Sequence, residues 1–391
     1  MTSEIATSGA RSEAPRIGGR CDPRFAGLRS ALAGNFAEHG EVGAAVAVTL
    51  EGRPVVDLWA GWTDRARTRA WRRDTLVNVF SVGKPMAALC LLMLVERGEV
   101  DLDAPVATYW SEFAAAGKAD VTVRMLLAHR AGLPAIRRLL PRLSMYDWGL
   151  MTSALAAQEP WWEPGSRHGY HVNTYGFLVG ELVRRVSGEP IGVFLRRTIS
   201  GPLGADFHFG VAAGQRRRVA DFLLPEVPSE FPGPGTSLLV QRAYMNPPGV
   251  SGLGTVNETA WREAEMPSTN AHATARAVAR IYCALAAGGS LDGIRLLKDE
   301  TVELAAREAS CGPDAVLNRP SRFGLGFQLT QPERPLGPND RSFGHFGAGG
   351  SLGFADPDEA LGFAYTPNQG EGPRWQNPRN RGLIAALYAC L

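Results

Sequence analysis

Lysine is nearly absent from this chain of 391 residues: Lys84, Lys118 and Lys298 stand among 41 basic residues, and all the others are arginine. Cysteine is scarce too. Cys21, Cys90, Cys283, Cys311 and Cys390 are odd in number, widely spaced and without a CxxC or metal-ligand pattern. That excludes a disulfide framework and suits the reduced thiols of a cytoplasmic protein. The seven histidines are dispersed, and His168 and His171 have no partner ligands near them in sequence, so neither a metal nor another cofactor is implied. The longest apolar run, Met86 to Val95, is too short to cross a bilayer, and no membrane insertion is expected. An excess of one charge is also missing. The net charge is +2, and the arginine clusters at 65–69, 137–138 and 216–218 are short and lack interleaved aromatics, which argues against a nucleic-acid partner. Residues 1–19 have no apolar stretch of the kind a secretory leader needs, and residues 1–20 are expected to form a flexible N-terminal arm.

What is present reads as a globular chain: 45% hydrophobic and 20% charged residues, long enough for two domains or one large one with a sizeable core. In a chain this poor in lysine, a retained lysine marks a place where arginine cannot substitute. A guanidinium stays protonated, whereas a desolvated ammonium can lose its proton and act as a base. Lys84 lies in Phe80-Ser81-Val82-Gly83-Lys84. Ser81 and Lys84, three apart, share one helix face. A hydroxyl beside a titratable amine is the Ser-Lys arrangement for nucleophilic catalysis. The bland alternative is an ordinary helix start with a surface lysine.

The pattern along the chain supports the first reading. Residues 22–40 have helical spacing (Phe25, Leu28, Leu32, Phe36) and end at Gly40. Strand-like runs follow at 43–50 and 54–60, with a hairpin turn between them. A helix apolar on all sides then runs from Lys84 to Glu96, as befits a helix buried at the centre of a domain. Ser81 and Lys84 would sit at its N-terminal end, with Pro85 in its first turn. The middle of the chain is helical or irregular, with Pro/Gly-rich breaks at 231–235 and 247–254 and a helix over 271–287. Strand character returns at 324–329, 351–355 and 361–365, and a helix over 381–389 closes the chain. The expected fold is α/β (α+β in some schemes): an antiparallel sheet built from both termini and flanked by helices, with an inserted all-α domain. Residues 21–80 and 290–391 would form the α/β domain and 81–289 the helical one, with the site between them.

Three blocks line up with this plan: Ser81-Val-Gly-Lys84; Trp162-Glu-Pro-Gly165 followed by Gly169-Tyr170-His171; and Gly344-His345-Phe346-Gly347. Their order and spacing resemble the penicilloyl-serine hydrolase superfamily, which includes class C β-lactamases, DD-peptidases and esterase relatives, with its S-x-x-K, Y-x-N (or Y-S-x) and K-T-G (or H-x-G) blocks. Residues 126–133, 202–206 and 323–327 are similar to further segments of that family, and the resemblance spans roughly residues 22–391. Within it, the segments at 267–272 and 351–357 look most like the family VIII carboxylesterases.

The resemblance implies an enzyme acting on a small-molecule ester or acyl substrate. Ser81 would be the nucleophile and Lys84 the base, once burial lowers its pKa. Tyr170 would relay the proton between nucleophile and leaving group. His345, where many relatives carry lysine, would orient Tyr170 or bind the leaving group, unless it is a strand-edge histidine with a structural hydrogen bond. The N–H groups of Ser81 and Ala348 are expected to pair as an oxyanion hole. Trp162, Val172 and Asn270 are candidate substrate-binding residues. Trp161 and Trp162 wall either the site or the core, and Asn270 and His272 either border the pocket or cap the next helix. Val172 in place of the Y-x-N asparagine, and His345 in place of lysine, weaken the β-lactamase and DD-peptidase readings.

Gly349-Gly-Ser351-Leu-Gly353 matches the G-x-S-x-G nucleophile elbow, but no histidine follows it in the chain, as that fold's triad order requires, so Ser351 is expected to be a turn residue. The leading function is ester hydrolysis through an acyl-enzyme. A transacylase, a weak β-lactamase or D-amino-acid amidase, and a catalytically silent scaffold remain as alternatives.

Overall fold

The computed structural model describes residues 15–224, 233–370 and 376–391. Its frame is a nine-stranded antiparallel sheet. From one edge the strands run Gly18–Cys21, Arg53–Gly61, Gly43–Leu50, Leu361–Pro367, Leu352–Asp356, Phe343–Phe346, Gln328–Leu329, Pro320–Phe323 and Ser310–Pro313. The two halves of the chain join where Ala47 faces Ala364.

Helix Ala275–Ala286 crosses one face of this sheet. Two glycines let it approach: a Cβ at Gly362 would lie 2.0 Å from the Ala279 carbonyl oxygen, and one at Gly353 2.5 Å from Val278 Cγ1. Helices Ala26–Glu38 and Pro378–Tyr388 pack against each other, and their apolar side chains share a core with sheet residues such as Val46, Leu58 and Phe363. On the other side of the site, helix Gly83–Glu96 is buried along almost its whole length and packs against helix Thr174–Ser187. An all-round apolar surface is stable only at such a centre.

Four details depart from the sequence reading. Gly18–Cys21 is an edge strand on Arg53–Gly61, with Gly18 opposite Trp59, so the arm does not extend to residue 20. The Trp59 ring leaves no room there for a side chain, since a Cβ at Gly18 would sit 2.9 Å from its Nε1. Residues 1–14 of the expected arm, and 231–232 of the expected 231–235 break, lie outside the described residues. Ala271–Ala273 is not helical but the middle strand of a small sheet with Val77–Asn78 and Phe207–Phe209, and Thr274 caps the helix that follows through the Ala277 N–H. That helix lies on the nine-stranded sheet, although the expected boundary at 289 assigns it to the helical domain. Finally, residues 324–329 are not one strand: Gly326, at φ +90°, turns the chain between Pro320–Phe323 and Gln328–Leu329.

Candidate active site

Ser81 sits in a single 3₁₀ turn, Phe80–Val82, that leads into helix Gly83–Glu96. Phe80 holds φ +48°, a conformation that costs a side-chain-bearing residue of the order of 1 kcal/mol and persists only where packing over-determines it. Gly83 is obligatory here, because a Cβ would fall 2.3 Å from the Pro267 carbonyl oxygen. Strand Phe343–Phe346 packs on this same turn, and Ser351 Oγ donates to the Val79 carbonyl at 3.0 Å. The glycine-rich C-terminal connection is thereby tied to the residues just before Ser81. Ser351 is buried and structural, as expected of a turn residue.

Lys84 is fully buried, and its Nζ has three polar neighbours: Ser81 Oγ at 3.1 Å, the Val172 carbonyl at 2.7 Å and the Ser268 carbonyl at 3.0 Å. Burial drives its pKa well below the ordinary lysine range. A neutral amine has two N–H donors and one lone pair. The two carbonyls match the donors, which leaves the lone pair for the Ser81 hydroxyl.

Tyr170 lies with its ring 4.7 Å from Lys84 Nζ and stacked on Phe323 at 5.8 Å. Burial raises its pKa well above the tyrosine range, and a hydrogen bond with Ser81 opposes that rise. The phenol is therefore neutral and in contact with Ser81. His345, on strand Phe343–Phe346, is fully buried with its ring 5.8 Å from that of Tyr170. Its Nδ1–H donates to the Phe346 carbonyl at 2.6 Å, which fixes the tautomer. Burial first, and Lys84 second, lower its pKa to about 3. It is a neutral imidazole at any ordinary pH.

Ala348 is exposed, just beyond that strand, while Gly347 is pinned by its N–H to the Ser351 carbonyl at 2.7 Å. Val172 enters the site through its carbonyl to Lys84. Trp162 packs on the two neighbours of Tyr170 in sequence: a Cβ on Gly169 would lie 2.7 Å from its ring, the His171 ring stands edge-on to it at 6.4 Å, and its Nε1 has no hydrogen-bond partner among the described residues. Asn270 is fully buried. Its Oδ1 accepts the Met266 N–H, and its Nδ2 donates to the carbonyls of Trp261 and Ala264, so every polar atom is committed to the loop. His272 is likewise buried, with Nδ1–H to the Asn270 carbonyl, and the cap of the next helix is Thr274. A cavity of about 600 Å³ opens elsewhere, between residues 285–288, 299–308 and 340–343, and contains none of these groups.

Sequence reasoning missed Ser268, whose carbonyl holds Lys84, and Asp314, whose carboxylate accepts the Tyr170 N–H. The first acts through its backbone, which carries no residue-specific signal. The second lies 144 positions from its partner.

A buried serine, lysine and tyrosine in mutual contact, set between an antiparallel sheet and a helical region, define a β-lactamase-like fold with a Ser-Lys site. The β-lactamase family model matches residues 28–387, and the chain belongs to that family, among its esterase- and β-lactamase-like serine hydrolases. It is 37% identical over 371 residues to the esterase/β-lactamase LipL of Mycobacterium tuberculosis, covering 90% of this chain and 83% of that one. Two crystal structures superpose closely. One is a family VIII carboxylesterase (TM-score 0.90, 40% identity, 96% of this chain and 100% of the other). The other is a penicillin-binding-protein homologue from Caulobacter crescentus (TM-score 0.89, 40% identity, the same coverage). The resemblance to family VIII carboxylesterases read from the sequence holds at the level of the whole fold. Among the described residues, no helix is long and apolar enough to cross a membrane.

Proposed function

We propose that the protein hydrolyses carboxylic esters of small molecules through an acyl-enzyme on Ser81. The observation that carries this reading is the fully buried Lys84, its pKa driven down by burial, in contact with the Ser81 hydroxyl and with two backbone carbonyls. The lone pair takes the hydroxyl proton as Ser81 Oγ attacks the ester carbonyl carbon. The resulting oxyanion lies against the N–H groups of Ser81 and Ala348. Collapse expels the alkoxide, which takes a proton through Tyr170, and Tyr170 is resupplied from Lys84. Water then repeats the sequence in reverse, giving up its proton to the same pair and releasing the acid and free Ser81. His345, neutral and beside Tyr170, orients the relay and supplies no charge.

Similarity to proteins named as an esterase/β-lactamase and a family VIII carboxylesterase supports the ester substrate. Five cysteines standing as free thiols support a cytoplasmic site of action.

The test is covalent labelling with a fluorophosphonate, together with turnover of p-nitrophenyl esters of graded chain length. We expect one label per chain, on Ser81, and ester turnover that disappears in Ser81→Ala. A protein that neither labels nor turns over any ester is the silent scaffold instead. Partitioning of the acyl-enzyme toward an added alcohol or amine, in preference to water, would make it a transacylase.

A further inference from the structure

We propose that Asp314 is the positioning residue for Tyr170, holding the proton relay in place by its backbone; this rests on the ester-cleaving reading above. Tyr170 belongs to no helix or strand, since residues 167–171 are irregular, so no ladder of backbone hydrogen bonds fixes it. Asp314 takes over that work. Its side chain is fully buried, and its two carboxylate oxygens receive the Tyr170 N–H at 3.0 and 3.1 Å. The same carboxylate accepts the N–H groups of Val316 and Leu317, both at 2.9 Å, and the Ser321 hydroxyl at 2.7 Å.

Because Ser321 gives its proton to Asp314, its oxygen accepts the Nε2–H of His168 at 2.9 Å. The Ala315 N–H closes the frame on the His168 carbonyl at 3.2 Å. Phe323, from the same stretch, stacks on the Tyr170 ring with the planes 5° apart. Residues 314–323 thus grip 168–170 at the backbone on both sides and at the ring. Among the described residues, Asp314, Ser321 and Phe323 make no hydrogen bond to Ser81 or Lys84, so their route to the chemistry is through Tyr170.

A carboxylate suits this place because it offers about four lone-pair sites to a set of donors that contains no acceptor. Asparagine keeps one acceptor oxygen and turns an NH₂ toward N–H and O–H groups, which leaves buried donors unmatched. The relay would shift, and a misplacement of about 1 Å costs on the order of 10²-fold in rate.

The test is a double-mutant cycle with p-nitrophenyl butyrate, with thermal melts of every variant. We expect Asp314→Asn to lower kcat roughly 10- to 100-fold with KM nearly unchanged, and to cost little more when added to Tyr170→Phe, because the group it positions is already gone. A loss of equal size in both backgrounds would mean that Asp314 merely supports the fold, and an unchanged kcat would mean that it does nothing for Tyr170. Either result overturns the proposal. Should Asp314→Asn fail to fold, Ser321→Ala keeps the carboxylate and removes one of its donors. It is then expected to lower kcat a few-fold in the wild type and not at all in Tyr170→Phe. A wild-type protein without ester turnover would instead bring down the esterase reading, and this proposal with it.

Discussion

At the scale of single residues, the chemistry turns on whether Lys84 can exist without its proton. Substituting Ser81 by alanine removes the oxygen proposed to attack the ester and should abolish turnover. Lys84→Arg should do nearly as much harm, since arginine keeps its charge but cannot act as a base; substantial activity in that variant would hand the base role to Tyr170. The sign of the pH dependence follows. If Lys84 is the base, as proposed, it works when neutral, so kcat/KM should rise with pH through its lowered pKa and level off above it. Burial lowers the pKa of His345 to about 3, so it stays neutral at ordinary pH and the limb is assigned to Lys84. A pH–rate profile of His345→Ala should therefore keep the limb in place, and its disappearance would reassign it to the histidine. Tyr170→Phe deletes the hydroxyl proposed as the proton relay and is expected to cost about 10²–10⁴ in kcat. His345→Ala, which on the proposed reading removes only an orienting group, should cost less, and an equal or larger loss would mean direct participation in proton transfer.

At the scale of elements, much of the site was readable because helix periodicity and residue type point the same way. Gly83–Glu96 is apolar on all sides, so its burial, and hence that of Lys84, follows from the sequence. The direction of a side chain does not. Asn270 has the residue type of a pocket-lining amide, yet its amide is spent on three loop groups. Gly324 to Leu329 has the residues of a strand, yet Gly326 approaches helix Gly83–Glu96 so closely that a Cβ would fall 2.2 Å from Ala88 Cβ, and the chain turns there. Gly83 makes the same kind of contact with Pro267, next to the Ser268 carbonyl that holds Lys84. We expect Gly83→Ala to push that segment away, lowering stability by about 1–3 kcal/mol in a thermal melt and reducing kcat with it. Unchanged values would show that the segment yields freely. Ser351→Ala loses one buried hydrogen bond to Val79, worth about 1 kcal/mol, and should still take up a fluorophosphonate at Ser81. Loss of the label in that variant would revive the G-x-S-x-G reading.

At the scale of the whole molecule, the sheet from both ends of the chain and the buried helix meet at the site. The helical side supplies Ser81, Lys84 and the loop of Tyr170, and the sheet supplies His345. This long-range convergence was legible from the order of three short blocks, whereas the carbonyls that complete it were not, because any residue carries one. A β-lactam needs more from such a site than an ester does: an amide to bind its side chain and a cation for its carboxylate. Here Val172 turns its carbonyl inward to Lys84 and has only an apolar side chain to offer. His345 is neutral, with its Nδ1–H already given to Phe346. Hydrogen bonds that involve a charged group are worth about 1.5–3 kcal/mol each. Losing two such anchors corresponds to roughly 10²–10⁴ in kcat/KM at 1.4 kcal/mol per tenfold. Turnover of a chromogenic cephalosporin should therefore fall at least about 10²-fold below that of a p-nitrophenyl ester under the same conditions. Comparable rates would mean that other groups supply the anchors, and would place the protein with the class C enzymes.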